Sequence, residues 1–378
     1  MVAAPAGSVV WGWVMVEIVN PGPSHPAASA ATRTIKHRTI TRPDLTRRGY
    51  TCSAMPELPD IEAYLEALRP RLVGERLNGV TLKNPFLLRT FDPPLDAVRG
   101  GTVVGVSRLG KRLVFEVETP SSGTPYFLVV HLMIAGRLQW RPAAPPAPTG
   151  AGGASEARAA PTPGGRSSAP KGNVLAAVEF SSGTLFLTEA GSRRRASLHI
   201  VQGREALAAL DPGGMDILSA TPERFSAALG RENRALKRAL ADPHLFSGIG
   251  NAYSDEILHR ACLSPLKLSQ SLNDEEAARL LQAAQAVLGE WTARLVAEAR
   301  EAFPEKVTAF RPDMAVHGKF GARCPACGQT VQRIVYADNE CDYCPGCQTG
   351  GRILADRSLS RLLKDDWPRG TPGPGDED

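Results

Sequence analysis

Five cysteines fall within 24 residues near the C-terminus: Cys324, Cys327, Cys341, Cys344 and Cys347. Two more, Cys52 and Cys262, stand alone. Cysteines paired as Cys-x-x-Cys in an otherwise cysteine-poor chain favour a metal over disulfides. Cys324-x-x-Cys327 and Cys344-x-x-Cys347 are separated by 16 residues. Two such knuckles place four thiolates tetrahedrally around one Zn²⁺, with bonds of about 2.3 Å. Four cysteines leave no open coordination position, so the expected zinc is structural and not catalytic. Cys341-x-x-Cys344 is a competing knuckle. The Cys344/Cys347 register is preferred because it gives the longer, hairpin-compatible loop, with Cys341 a spare thiol. A zinc hairpin implies a nucleic-acid partner but names no reaction.

A second candidate is the turn Phe246-Ser247-Gly248-Ile249-Gly250-Asn251, which opens a helix. Glycines let backbone amides approach an anion at a helix start. Asn251 could donate to the same phosphate, and Lys237 could add a cation. The competing reading is an ordinary glycine-rich turn between helices.

The formal net charge is +5 over 378 residues. Residues 1–54 hold six Lys/Arg (Arg33, Lys36, Arg38, Arg42, Arg47, Arg48) against Glu17 and Asp44, or +4, which leaves only +1 for 55–378. Overall charge therefore argues little for nucleic acid, and local clusters must carry that case. No stretch is apolar enough to span a membrane. Val9–Val19 lacks a basic segment before it, so a signal peptide is not expected. The thiol-rich module suggests a reducing cytoplasm, here the bacterial cytoplasm and nucleoid.

These groups need elements to hold them. Residues 1–54 show no period and read as a disordered or spurious extension. Ile61, Tyr64, Leu65, Leu68 and Leu72 recur at helical spacing, and Gly74 is a plausible stop. Five β-rich runs follow, at 102–106, 113–118, 126–132, 174–180 and 184–188. Their length and turn spacing suggest a β-sandwich. The Ala/Pro/Gly/Ser/Thr-rich segment 141–170 reads as a disordered insert between strands. Residues 215–303 read as helical, with a cap at Thr221-Pro222-Glu223, short helices at 233–240 and 251–261, and a long one at 273–301.

MPELPDIE at 55–62, GK at 110–111, HLMIAGRL at 131–138, LADPHLFSGIGNAYSDEIL at 240–258 and the four-cysteine finger followed by QTGG at 348–351 occur in one order and spacing. Together they resemble the formamidopyrimidine-DNA glycosylase/endonuclease VIII family, from Met55 to about Lys364. The resemblance implies an α+β multidomain fold. Its parts are an N-terminal catalytic β-sandwich with flanking helices (55–205), a helix–two-turn–helix domain (206–305) and a C-terminal four-cysteine zinc finger (306–365). A disordered tail (366–378) follows. The implied partner is damaged double-stranded DNA, bound by a monomer in the cleft between domains.

The resemblance also implies the chemistry. Pro56 is the nucleophile on C1′ of the damaged nucleotide, Glu57 its acid/base partner, and Lys111 a phosphate-contacting lysine in a β-hairpin. An internal proline nitrogen is a tertiary amide without a nucleophilic lone pair. The active protein is therefore expected to start at Met55, with methionine removal exposing Pro56. His131, Lys237 and Asn251 match positions at the DNA. Glu256 matches as well, and reads equally as a helix-end structural residue. Ile134 stands where a stack-filling Met is usual, with Met133 beside it. No Phe follows in the wedge region, where Arg193, Arg194 and Arg195 fill the gap, bind phosphates or form a solvated basic turn. Asp60 replaces a more usual Glu, a change expected to alter proton handling. The segment Phe303–Phe320 is short where guanine-lesion enzymes cover the flipped base. That weakens 8-oxoguanine specificity and leaves oxidised pyrimidines open. The finger's phosphate-gripping Arg is replaced near Asn339, with Arg333 or Arg352 as candidate substitutes.

The implied function is a bifunctional DNA glycosylase/AP lyase acting on oxidised bases through a proline iminium and β,δ-elimination. The alternative is a non-catalytic damaged-DNA binding protein of the same fold. A zinc-ribbon protein of ribosome or transcription leaves Pro56-Glu57 without a purpose.

Overall fold

The structure, a computed structural model, describes residues 55–143, 170, 172–190, 195–305, 307–308, 310–336 and 339–354. The extension 1–54, most of the expected insert, Arg193, Arg194 and the C-terminal tail lie outside the described residues.

Helix α1 (Leu58–Leu72) opens the described chain, with Pro59 in its first turn. Its residues Ile61, Tyr64, Leu65, Leu68 and Leu72, at helical spacing, are all at most 1% exposed. Strands β1 (Leu77–Leu82), β2 (Thr102–Leu109), β3 (Arg112–Thr119), β4 (Ser122–His131), β5 (Gly136–Pro142), β6 (Val174–Phe180), β7 (Gly183–Glu189) and β8 (Ser197–Gln202) follow. They form two four-stranded sheets, β1-β6-β7-β5 and β2-β3-β4-β8, with every neighbouring pair antiparallel. One core takes side chains from both sheets and from α1, including Val106, Phe115, Leu128, Leu175, Leu187 and Leu68. That is the expected sandwich, with α1 packed on it. Strands β1, β5 and β8 escaped the sequence reading. The expected insert also began too early: Arg141 and Pro142 complete β5 and pair with Thr184 and Gly183.

Beyond the sandwich come α2 (Arg204–Ala208), β9 (Met215–Asp216), α3 (Pro222–Gly230), α4 (Leu236–Leu240), β10 (Phe246–Ser247), α5 (Asn251–Arg260) and α6 (Asp274–Glu301). Thr221 caps α3, and Asn273 caps α6 by accepting from Glu276 N–H at 2.8 Å. At 1.5 Å per residue, α6 is about 42 Å long, enough to serve two cores. Leu280, Leu281, Val287 and Leu288 join the helical core around Phe225, Phe246 and Tyr253. Leu295 and Ala299, further along, pack on Ala63 and Ala67 of α1. Alanines at that contact let the two helices approach closely. Hairpin β11 (Gln332–Tyr336)/β12 (Asn339–Tyr343) and α7 (Pro345–Thr349) complete the described chain. Among the described residues no helix is long and apolar enough to cross a membrane.

Candidate active site

The glycine-rich turn before α5 does hold an anion, but the anion belongs to the protein. Glu57, only 1% exposed, accepts hydrogen bonds from Gly250 N–H at 2.5 Å, Ala252 N–H at 2.8 Å and Tyr253 N–H at 3.3 Å. These amides form the N-terminus of α5, where unpaired donors and the helix dipole favour negative charge. The phosphate expected there is replaced by the Glu57 carboxylate. The glycines make the approach possible. A Cβ on Gly250 would sit 2.6 Å from Glu57 Cδ and 2.7 Å from Lys111 Nζ. Gly248 has φ +89°, and a Cβ there would meet Leu58 Cβ at 2.7 Å. Leu58 N–H also donates to Gly248 O at 2.9 Å. Pro56, buried, precedes Glu57 directly.

Lys111 follows the tight Gly110 turn between β2 and β3. Burial lowers its amine below the usual lysine range, against the opposing pull of the Glu57 charge. Arg108, near the end of β2, anchors this hairpin. It reaches Glu62 of α1 at 2.6 Å, Asp216 of β9 at 2.5 Å and Ser247 Oγ at 3.4 Å.

His131 ends β4 opposite Arg112, next to Lys111. Burial first, then the charges of Arg112 and Lys111, hold its imidazole down to about 4. The ring is therefore neutral at neutral pH. Its Nδ1 accepts from Met133 N–H at 3.0 Å, which leaves the proton on Nε2. Met133 has φ +52°, and Ile134, half-buried beside it, accepts at its carbonyl from Arg137 Nη1 at 3.2 Å. Arg195 is exposed, and its N–H donates to the Glu189 carboxylate at 2.9 and 3.1 Å.

Lys237 has partners inside the protein. It is 9% exposed and pairs with Asp255 at 2.6 Å, while also donating to Asn251 O. Burial is the largest influence and opposes its charge, but Asp255 together with Cys341 and Glu57 leaves the amine above its usual range. Its ammonium binds an internal carboxylate. Asn251 is the first residue of α5 and half-buried. Glu256 accepts from the amides of Ala315, Val316 and His317 at 2.8–2.9 Å, the structural one of its two readings.

The finger's sulfurs converge. Cys327 and Cys344 Sγ are 3.2 Å apart, and Cys324 and Cys347 Sγ 3.8 Å. Zinc bonds of about 2.3 Å give tetrahedral S···S edges of about 3.8 Å, so this donor set fits one zinc. Cys341 lies in β12, buried with Ile334 and Tyr343 in a separate small core. The sequence reading missed His259 on α5, whose Nε2 lies 3.2 Å from Cys324 Sγ. Ligand atoms of His259, Cys324, Cys344 and Cys347 all fall within 4.8 Å of one another. It also missed a buried cluster in which Asp255 meets His317 Nδ1 at 2.9 Å, and Asp342 accepts from Gly318 N–H at 2.7 Å. Arg333 is engaged there, with Glu340 at 2.9 Å and Asp342 at 3.1 Å. Arg352 is exposed. Neither His259 nor Arg333 carries a spacing signal for these contacts, because their partners lie in other elements.

Residues 55–161 match the formamidopyrimidine-DNA glycosylase N-terminal domain model, and 214–294 match the corresponding H2TH domain model. The formamidopyrimidine-DNA glycosylase of Thermus thermophilus is 32% identical over 303 residues, covering 79% of this chain and 100% of that protein. That of Desulfitobacterium hafniense is 29% identical over 309 residues, covering 78% and 100%. The crystal structure of the Thermus thermophilus MutM (Fpg) protein superposes with TM-score 0.59 at 30% identity, covering 78% of this chain and 98% of that one. A Lactococcus lactis Fpg mutant, solved with Fapy-dG-containing DNA, shares the fold at TM-score 0.62 and 21% identity, covering 78% and 100%. The two domain models, the glycine turn seated on Glu57 and end-to-end matches place this chain in the formamidopyrimidine-DNA glycosylase family.

Proposed function

We propose that this chain is a bifunctional DNA glycosylase and AP lyase of base-excision repair, acting on oxidised bases in duplex DNA. The observation that carries the reading is the Glu57 carboxylate, buried on three α5 amides beside the Lys111 amine and joined to Pro56. A buried acid next to a cation and a candidate amine is an arrangement for moving protons, and it is costly as mere packing.

In this mechanism the free Pro56 nitrogen attacks C1′ of a flipped-out nucleotide. The N-glycosidic bond breaks, and the base leaves with its electron pair and gains a proton. Glu57 takes the proton that the Pro56 nitrogen loses on attack and passes it to the ring oxygen as the sugar opens and the C1′–N iminium forms. Loss of a C2′ proton expels the 3′ phosphate, loss of a C4′ proton expels the 5′ phosphate, and water releases Pro56. Lys111 and His131 face the backbone phosphates, with His131 acting as a neutral N–H donor. Asn251 and Ile134 are assigned to the DNA face, as are Arg193, Arg194 and Arg195 around the vacated stack. Cys324, Cys327, Cys344 and Cys347 hold one zinc, which cross-links the finger.

The division into a catalytic sandwich (55–205), a helix–two-turn–helix domain (206–305) and a finger (306–365) is proposed along with the function. So are a monomeric state and a cytoplasmic location. Relatives named for formamidopyrimidine support guanine-derived lesions. The short linker before the finger extends the proposal to oxidised pyrimidines.

The test is reductive trapping. Protein beginning at Pro56 should form a borohydride-stable complex with an abasic-site duplex, and the full 378-residue chain, whose Pro56 nitrogen is an amide, should not. Duplex binding without trapping by the Pro56 form would instead support a non-catalytic damaged-DNA binding protein. Equal trapping by both forms would remove Pro56 as the nucleophile.

A further inference from the structure

The segment joining α6 to the finger sends one side chain into the catalytic end. Arg311 Nη2 donates to Asp60 Oδ1 at 2.8 Å, and Asp60 is 1% exposed. The other oxygen, Asp60 Oδ2, accepts from Glu57 N–H at 2.9 Å. That N–H belongs to the peptide bond whose carbonyl is Pro56's own. Arg311 thus stands two hydrogen bonds from the residue proposed as nucleophile.

The surroundings are built for a cation at this point. The Arg311 guanidinium lies 5.8 Å over the Trp291 ring of α6, a favourable face for positive charge. Trp291 packs edge-on against Tyr253 at 6.2 Å. Tyr253 donates its N–H to Glu57 Oε2 and is close enough to Arg311 for the two to interact electrostatically. Arg311 therefore meets α1 directly through Asp60 and reaches the α5 side of the cradle through Trp291, which packs on Tyr253. Arginine suits the position, because its planar fork serves several partners with a charge that burial does not remove. Asp60 without it would be an uncompensated buried carboxylate.

We propose that Arg311 is a positioning residue for the reaction. Through Asp60 it fixes the Pro56–Glu57 peptide, and so the direction of the proline ring, and it registers the linker against α1. This rests on the reading of Pro56 as nucleophile. The Arg311 side chain is turned inward onto Asp60 and Trp291, so its loss should slow the chemistry and spare binding.

The test compares single-turnover trapping rates on an abasic-site duplex with Kd for a duplex carrying a non-reactive abasic analogue, in protein beginning at Pro56. Relatives that correspond end to end to the matched part of this chain support that form as a folding unit. Arg311→Met should slow trapping about 10- to 100-fold, the scale of an ångström-sized misplacement, with Kd changed by no more than about twofold. Arg311→Lys keeps the charge and should recover part of the rate. Asp60→Asn combined with Arg311→Met should be no more than about twofold slower than Asp60→Asn alone, because the arginine acts through the aspartate. A wild-type rate in Arg311→Met, or rate and affinity falling together, would overturn the assignment. Should Arg311→Met not fold, the double variant decides, and slowing beyond Asp60→Asn alone overturns it. Absence of trapping by the parent protein would instead overturn the Pro56 mechanism itself.

Discussion

Glu57 and His131 show how a side chain's chemistry depends on its neighbours. Glu57 was legible in the sequence only as part of a motif. Its three amide donors come from a turn 193 to 196 positions away, a distance at which spacing carries no signal. His131 was assigned to the DNA, but its protonation state was not readable. Its pKa of about 4 in the fold compares with about 6.5 for an unperturbed histidine. Between those values the unfolded chain binds a proton that the native state refuses. Stability is therefore full above about pH 6.5, falls as pH drops towards 4 and levels off below. His131→Gln should flatten the decline of unfolding free energy over that window, by on the order of 1–3 kcal/mol, followed by thermal or denaturant unfolding across pH. His199, also held below the usual range by burial, keeps some of the slope. As a neutral donor, His131 should not contribute to the salt dependence of DNA binding either. An unchanged acid slope in the variant would contradict the neutral assignment.

The decisive element is the turn from Gly248 to Gly250 at the head of α5. The residue pattern marked it as an anion site, and the anion on its amides is Glu57, brought there because the start of α1 is hydrogen-bonded to the same turn. Gly250→Ala tests this contact. The backbone there has φ −135°, which alanine tolerates, so the effect must come from the added methyl against Glu57 and Lys111. Overpacking typically costs about 1–3 kcal/mol, and a shifted carboxylate should slow trapping at least tenfold. Thermal melting and single-turnover trapping measure the two separately. Wild-type values for both would show that the cradle is looser than its distances imply. The other elements were legible in proportion to their periodicity. α1, α3 and α6 carried caps and apolar stripes, whereas β1 lacks a clear alternation and β5 and β8 alternate only over four or five residues, so these strands stand out chiefly through their pairing with neighbours.

At the scale of the molecule, the finger is tied back to α5 by contacts other than the zinc. Glu256 accepts three amides of the segment 315–317, and His259 reaches Cys324. With zinc held by the four thiolates as proposed, its binding is part of the finger's folding free energy. Chelation should therefore unfold the β11/β12 hairpin while the helical signal from α1 and α6 remains, and should weaken duplex affinity at least tenfold. Amide hydrogen exchange over 324–349 and a Kd for an abasic-analogue duplex read the two effects. Full affinity in zinc-free protein would place DNA binding outside the finger.

By itself the sequence determined what local chemistry determines: four cysteines at zinc spacing, helices marked by caps and apolar stripes, a glycine turn able to approach an anion, and a motif order sufficient for the family. The choice of Cys347 over Cys341 rested on loop length, and the observed geometry agrees, with Cys341 packed in a separate core. Tertiary structure decided what each charge is paired with. Lys237 turned inward to Asp255, Glu57 took the place kept for a phosphate, and Arg311 reached Asp60 from a linker with no periodicity at all. The physical reason is that burying a charge is costly without a partner. The partners available were set by which elements the fold brought together, and their separation along the chain left no trace in spacing or composition.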